Sequence, residues 1–202
     1  MVAVRVAYTG NDYFANLVWN LFLAWIPFGV ALYVYEGYRH GAARVQLWAA
    51  GALWLLFFPN ATYIVTDIKW LRVSVGAPIW FDVLIVSAAA LCGLLLAFVS
   101  LYLIQAVVRE VLGAALAWAF VLGALLLSSF GVYLGRYARW NSWDVLTQPR
   151  VLAHDLVPHL THPLDHTRAM AVMVLFTAFL WVTYLVFYSV ARTSVGEAPE
   201  RR

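Results

Sequence analysis

Charged residues are scarce in this sequence. Lys and Arg number 13 and Asp and Glu number 10 among 202 residues, whereas 64% of the residues are hydrophobic. Soluble domains carry about a quarter of their residues as charged side chains. Because so few charges cannot cover so much apolar surface, the composition excludes a soluble globular protein and indicates lipid as the solvent. The formal net charge of +3 is too small and too dispersed to predict nucleic acid as a partner.

Cysteine is nearly absent, and alternating strand patterns are absent. Cys92 is the single cysteine, so no disulfide framework can form within the chain. No ten-residue segment alternates apolar and polar residues in the way that the strands of a membrane β-barrel do. Helices are then the remaining way to satisfy backbone hydrogen bonds in lipid. We therefore predict an all-α membrane protein.

Uncharged apolar runs are what the sequence has in abundance. Five of them are close to or above the roughly 20 residues that cross a bilayer, and they predict spans at residues 17–35, 45–65, 83–108, 111–135 and 169–191. We predict one transmembrane domain over residues 1–192 and a polar tail over 193–202. The loop between spans four and five is predicted to contain a short interfacial helix at 149–157, because this segment has an apolar and a polar face.

A polar segment closes the second span. The sequence FFPNATYIVTD ends at Asp67, and Pro59 within it removes a backbone donor, which predicts a broken helix. Unsatisfied backbone groups are costly in hydrocarbon, so Asn60 and Thr62 are expected to hydrogen bond locally. Asp82 begins the third span on the same side of the membrane. A broken helix end with polar side chains indicates a site at this face.

The fourth span runs into a second polar segment, GRYARWNSWD. If the helix continues outward, Arg136, Trp140 and Asp144 share one face, where a guanidinium stacks on an indole or binds a carboxylate. The ends of spans two and four fall on the same side. We predict a ligand-binding site lined by Asn60, Thr62, Asp67, Asp82, Arg136, Arg139, Trp140, Asn141 and Asp144. The alternative is an ordinary interfacial belt of tryptophans and solvated charges.

Small residues recur every four positions on spans three and four. These are Ala89, Gly93 and Ala97 on span three, and Ala115, Ala119 and Gly123, then Gly131 and Gly135, on span four. Such stripes let helix backbones approach closely in a membrane, although glycine and alanine are also simply common there. Because the two runs are separated by Arg109 and Glu110, we predict a minimal turn at that pair and an antiparallel hairpin.

The two polar segments, together with the WFD sequence that begins span three at Trp80, resemble the bacterial membrane-protein family known as domain of unknown function 1361. The resemblance covers residues 17–149. It implies an integral protein of the bacterial inner membrane and carries no assigned activity. Thr62 and Trp70 stand where the family pattern has proline and histidine, which argues against a metal ligand at position 70.

Four of the five histidines lie in the loop before span five. His162 and His166 have the i, i+4 spacing that zinc can use on one helical face, but no thiolate accompanies them. A pH-responsive role and a plain polar loop are the alternatives, and the plain loop is favoured. We therefore predict no metal site, with these two histidines as the only candidates.

The distribution of charged residues between the two sides of the membrane bears on the orientation of the protein. Seven basic residues fall on the amino-terminal side and six on the other, which does not decide the orientation. All six Asp lie on the amino-terminal side and all four Glu on the opposite side. We predict a multi-pass protein of the bacterial cytoplasmic membrane with its amino terminus outside and its carboxyl terminus inside.

Three functions are compatible with these features. The favoured one is binding of a small polar or anionic ligand, or an ion, at the site formed by the ends of spans two and four. The alternative is a structural or accessory subunit of a larger membrane complex, because 10 Trp, 11 Tyr and 12 Phe offer large packing surfaces. A transporter is weaker, since spans three to five carry no charge at midplane depth. Lipid, other membrane proteins or a second copy are the expected partners, while a reaction and a cofactor are left open.

Overall fold

The computed structural model describes residues 1–12, 14–73, 76–138, 140, 144–147, 150–151 and 167–196. Within these ranges the chain contains helices and no strand. Five helices are long and apolar enough to cross a membrane: Ala15–Arg39, Arg44–Lys69, Ile79–Leu112, Ala114–Arg136 and Met170–Thr193. The predicted all-α class with five spans is confirmed.

Short connections join the helices up to the end of span four. The α-helices are α1 Val2–Thr9, α2 Ala15–Arg39, α3 Arg44–Tyr63, α4 Ile79–Leu112, α5 Ala114–Tyr133, α6 Asp144–Thr147 and α7 Thr167–Gly196. A 3₁₀-helix at Ile64–Val73 prolongs α3, and a π-helix at Leu134–Ala138 prolongs α5. The short α6 lies in the loop between spans four and five. Of the interfacial helix predicted at 149–157, Arg150 and Val151 are helical, and the rest lies outside the described residues.

The chain forms two compact units, Met1–Val111 and Leu112–Arg202, which we call unit 1 and unit 2. The turn between spans three and four is at Gly113, whose φ of 87° is a left-handed conformation that glycine adopts without steric cost. The predicted turn at Arg109 and Glu110 is therefore wrong. Both residues belong to the last turn of α4, where the arginine interacts favourably with the helix dipole. The single transmembrane domain and the antiparallel hairpin stay predictions.

The core of unit 1 joins α3 to α4 through a tryptophan. Trp54 is 1% exposed, and its indole Nε1 donates a hydrogen bond of 3.2 Å to Ser100 Oγ. Ser100 in turn donates to the carbonyl of Ala97 at 2.8 Å, and the Phe58 ring lies 4.6 Å from the indole. Because a buried N–H without a partner is costly, this hydrogen bond allows a large polar aromatic residue to sit between two helices.

Gly93 sets the closest approach of α4 to α3. A Cβ atom added at Gly93 would lie 2.7 Å from the carbonyl oxygen of Ala61 and 2.9 Å from Cδ1 of Ile64. The stripe of Ala89, Gly93 and Ala97 is buried, and at Gly93 it contacts span two. Its expected close packing in the hairpin with span four stays a prediction.

Three residues of the second predicted stripe are not closely packed within unit 2. Ala115 and Ala119 are exposed, and a Cβ added at Gly123 would meet nothing within 4 Å. In unit 2, α5 instead presents a neighbouring face to α7, where Thr177 Oγ1 donates to Ser129 Oγ at 2.9 Å. Trp118 packs edge-on against three aromatic side chains of α7: Trp181, Tyr184 and Tyr188. A hydroxyl pair and aromatic contacts therefore join α5 to α7.

Candidate functional site

The amino-terminal helix α1 brings an arginine into unit 1. Arg5 is the one charged residue of the segment VAVRVAYT, and it is 1% exposed. Its Nε donates to Asp82 Oδ1 at 2.5 Å and its Nη2 to Asp82 Oδ2 at 3.1 Å. Asp82, in the first turn of α4, is 0% exposed. The two side chains form a buried bidentate ion pair, the geometry in which an arginine binds a carboxylate most strongly.

The polarity of α1 is the reverse of that of a water-facing surface helix. Its charged residue is buried, whereas Met1, Val4 and Tyr8 are 57%, 63% and 73% exposed. In a membrane protein an outward apolar face of this kind suits the boundary between headgroups and acyl chains. The helix ends at Gly10, whose φ of 66° allows its N–H to bond the carbonyl of Val6.

Packing holds the guanidinium of Arg5 in place. Its Cζ lies 4.4 Å from the centre of the Phe14 ring, a cation–π contact with a residue that is 1% exposed. The side chain of Thr9 donates to the carbonyl of Arg5 at 2.9 Å and accepts from the N–H of Asn11 at 3.3 Å. The hydrogen bonds of Thr9 hold the last turn of α1, and the ring of Phe14 holds the guanidinium itself.

A second buried carboxylate, that of Asp67, contacts the first turns of α2. Asp67, which is 2% exposed, belongs to the 3₁₀-helix after α3. Its Oδ2 accepts a hydrogen bond of 2.8 Å from Nδ2 of Asn20, in the second turn of α2. Since α2 begins, α3 ends and α4 begins at this end of unit 1, the chain direction places both carboxylates at one end of the spans. We call Arg5, Asn20, Asp67 and Asp82 the polar end.

Pro59 does not break the second span. Helix α3 continues through Pro59 to Tyr63 before it tightens into the 3₁₀-helix, so the predicted broken end is wrong. The local hydrogen bonding was predicted correctly in kind: Asn60 Nδ2 donates to the carbonyl of Phe57 and Thr62 Oγ1 to that of Pro59, each at 3.1 Å. Side-chain donors next to a proline help a membrane helix to continue. Their part in ligand binding stays a prediction.

The polar segment after span four departs from the expected helix. Arg136 lies in the π-helix, and Trp140 is non-helical, with its N–H bonded to the carbonyl of Leu134 at 3.3 Å. A π-helix advances by i→i+5 hydrogen bonds. The predicted single α-helical face through Arg136, Trp140 and Asp144 is therefore wrong. All three side chains are half-buried, and their membership of the site stays a prediction.

Several predicted residues lie outside the described part of the chain. These are Arg139 and Asn141 of the candidate site and the two histidines, His162 and His166. Among the residues that the structure does describe, no group of three or more His, Cys, Asp or Glu side chains is arranged to hold a metal ion.

The sequence analysis missed Arg5 and Asn20. Arg5 has a recognisable signal, because one charge in an eight-residue apolar helix must either reach water or find a buried partner. Asn20 has a weaker signal, an amide near the start of a span. What joins either residue to its carboxylate is tertiary packing over sequence separations of 77 and 47 residues, which spacing along the chain cannot reveal.

Comparison with known proteins gives one family. The family described as "Protein of unknown function (DUF1361)" matches residues 19–183, a range that includes Asn20, Asp67 and Asp82 and begins after Arg5. No curated protein and no solved structure matches the chain.

Proposed function

The chain belongs to the DUF1361 family, and we propose that this integral membrane protein binds a small polar or anionic ligand, or an ion, at its polar end. The proposal rests on the burial of charge. Asp67 and Asp82 are 2% and 0% exposed and Arg5 is 1% exposed, in a chain with few charged residues of any kind. It costs free energy to bury a charged side chain inside a membrane protein. Such residues are therefore rare, and they commonly belong to ligand or ion sites.

The competing explanation is that these side chains only tie helices together. The Arg5–Asp82 pair does connect α1 to α4, and the Asn20–Asp67 hydrogen bond connects α2 to the 3₁₀-helix. A buried ion pair, however, is weak evidence for stability, because apolar residues of similar volume often serve equally well. One donor atom of Arg5, Nη1, is also buried without a hydrogen-bond partner among the residues that the structure describes. A purely structural pair would gain nothing from that unsatisfied donor, whereas a binding site uses it.

Asp67→Asn tests this function. The amide oxygen can still accept from Asn20, so the fold is expected to remain, while one formal negative charge is lost from the polar end. The probes are sodium, magnesium, chloride, acetate and inorganic phosphate, each titrated while thermal unfolding of the purified protein is followed. For any that stabilises the wild type, the variant's affinity changes about tenfold, given charges roughly 10 Å apart at an effective dielectric constant of about 20. Affinity rises for an anion and falls for a cation.

Asp12→Asn is the matched control. Asp12 precedes α2 and is exposed, so its charge is screened by solvent and salt, and ion affinities are expected to equal those of the wild type. The proposed function is wrong if neither these ions nor an anionic phospholipid stabilises the wild type, or if Asp67→Asn binds every stabilising probe with unchanged affinity.

The structure offers less support to the subunit alternative. Trp54 is buried within unit 1, and Trp118 and Trp181 pack on each other within unit 2. Trp25, which is 56% exposed, remains as a mid-span tryptophan with a large surface for another membrane protein or a second copy. Three of the four mid-span tryptophans, Trp54, Trp118 and Trp181, thus have contacts inside their own unit.

The proposal includes a location and an orientation. Five spans put the termini on opposite sides, and the acidic residues favour a carboxyl terminus in the cytoplasm of a bacterial cell. Green fluorescent protein fused after residue 202 is therefore expected to fluoresce, and alkaline phosphatase at the same position to be inactive. The same reporters fused after Gly41 serve as the control, since five spans put that loop on the side of the carboxyl terminus. An active phosphatase at residue 202 would show that the orientation is the opposite of the one proposed.

A further inference from the structure

We propose that Arg5 binds an oxyanion, a phosphate or a carboxylate group, through Nη1 while its other edge remains paired with Asp82. The inference deepens the proposed function, since it rests on the same polar end and names the chemical class of the ligand. It also assigns the first contact with that ligand to a residue of α1.

The guanidinium has donors to spare. An arginine carries five N–H donors in a fixed planar fork. Nε and Nη2 of Arg5 direct one edge at the two oxygens of Asp82, which leaves Nη1 outside the pair. Nη1 is buried and has no hydrogen-bond partner within the described part of the chain. A buried donor of a charged group that lacks an acceptor is among the most costly polar groups in a protein, and an acceptor oxygen at Nη1 removes that cost.

The polar group of the polar end that lacks a hydrogen-bond partner among the described residues is a donor, Arg5 Nη1. A donor favours a negatively charged ligand. Asp82 accepts from Arg5, and Asp67 accepts from Asn20. A cation would have to compete with these donors for the carboxylate oxygens. An oxyanion instead takes up a donor that none of the described residues uses, and a hydrogen bond between ionised groups is about twice as strong as a neutral one. An oxyanion therefore fits this site better than a metal ion does.

The donor is also held in position before a ligand arrives. Phe14 lies against the face of the guanidinium at 4.4 Å, and Asp82 fixes its plane. The 1% exposure of Arg5 excludes bulk water, which strengthens electrostatic interactions. A ligand therefore loses little free energy in ordering the side chain that binds it. Lysine, a flexible point charge, would not reproduce this planar geometry.

The oxyanion has two possible sources with the same chemistry. The outer face of α1, with Val4 and Tyr8 exposed, suits the lipid boundary, where phospholipid phosphates lie. A free carboxylate or phosphate in water could reach the same donor. The experiment therefore needs one arm for each source, and the protein must be purified in a detergent that has no phosphate, such as a maltoside.

The first comparison is between wild type, Arg5→Lys and Arg39→Lys. Thermal unfolding is followed while inorganic phosphate or acetate is added at constant ionic strength, and in a second arm while phosphatidylglycerol is added against the phosphate-free lipid monogalactosyl diacylglycerol. Saturable stabilisation of the wild type is expected in at least one arm. Arg5→Lys loses one charge-assisted hydrogen bond to the oxyanion, so its affinity falls about tenfold. Arg39 is exposed, and Arg39→Lys is expected to match the wild type.

Asp82→Asn keeps the test decisive if Arg5→Lys fails to fold. The asparagine retains one acceptor for Arg5 but removes the neutralising charge, so the oxyanion meets a full positive charge. Without added oxyanion the variant is expected to unfold at a lower temperature than the wild type. Added phosphate or phosphatidylglycerol is expected to raise the unfolding temperature of this variant by more than it raises that of the wild type. An ion pair with a structural role alone would not produce this difference.

The outcomes separate this inference from the function on which it rests. Stabilisation by free phosphate or acetate assigns a soluble ligand, and stabilisation by phosphatidylglycerol alone assigns a lipid; either result with loss in Arg5→Lys supports the inference. Stabilisation by cations alone, weakened in Asp67→Asn, keeps the proposed function and overturns the oxyanion. Equal stabilisation of wild type and Arg5→Lys does the same. If no probe stabilises the wild type, both are wrong.

Discussion

Arg5→Leu is expected to lower the free energy of unfolding by about 3–5 kcal/mol, because removing one partner leaves the other charge of a buried pair uncompensated. Asp82, at 0% exposure, would have to become protonated or draw water into the start of α4. The loss of the contact between Arg5 and Phe14 adds to this cost. Reversible unfolding of the purified protein in mixed micelles, followed by circular dichroism, measures the effect.

A double-mutant cycle measures how much of this loss comes from the unpaired charge of Asp82. Arg5→Leu with Asp82→Leu removes both charges and restores apolar packing, so most of the lost stability is expected to return. The exposed pair of Glu36 and Arg39, at 3.9 Å, is the control, and Arg39→Leu is expected to cause no measurable loss because exposed ion pairs contribute little. A single Arg5→Leu variant as stable as the wild type would show that the buried pair does not form.

Gly93→Ala is expected to destabilise unit 1 by about 1–3 kcal/mol, the usual cost of overpacking. The new methyl group would lie 2.7 Å from the carbonyl oxygen of Ala61, which is backbone and cannot rotate away. Helix α4 would have to move from α3, and the hydrogen bond between Trp54 and Ser100 would lengthen. The same unfolding measurement applies, and the tryptophan fluorescence spectrum reports on Trp54.

Gly51→Ala is the matched control for Gly93→Ala. Gly51 is also a glycine inside a membrane-spanning helix, but a Cβ there meets nothing within 4 Å. Since alanine is the better helix former by about 0.5–1 kcal/mol, Gly51→Ala is expected to leave stability unchanged or raise it. If the two substitutions behaved alike, α3 and α4 would not approach as closely as Gly93 indicates.

The membrane-spanning helices could be predicted from the sequence because their signal is local. An apolar run of sufficient length forms a helix in lipid whatever its neighbours are, so all five spans were predicted. The ends were less accurate. Helix α4 begins at Ile79 and ends at Leu112, where the prediction gave 83–108, because charged residues at a helix end can lie at the interface without ending the helix.

Local irregularities within a helix were harder to predict than the existence of the helix. Pro59 was expected to end the second span, yet α3 passes through it and tightens into a 3₁₀-helix only after Tyr63. The segment after span four was expected to keep an α-helical register, but a π-helix at Leu134–Ala138 changes which residues share a face. Such departures depend on local hydrogen bonding that hydrophobic periodicity does not encode.

For the candidate site, the sequence identified the acids and missed their partners. Asp67 and Asp82 were predicted as site residues, and both are buried. Arg5 escaped attention because an eight-residue helix is too short to register as a span, and its charge looked like an ordinary surface charge. Only tertiary structure shows that α1 turns this side chain inward and its apolar residues outward.

The most direct test of the account is an experimental map of the protein purified from its native membrane in a phosphate-free detergent. We expect non-protein density larger than a water molecule within about 3 Å of Arg5 Nη1, the distance of a hydrogen bond, with Asp82 still paired on the opposite edge. A map in which Nη1 contacts only protein atoms or a single water would contradict the ligand site and leave the polar end as a set of ties between helices.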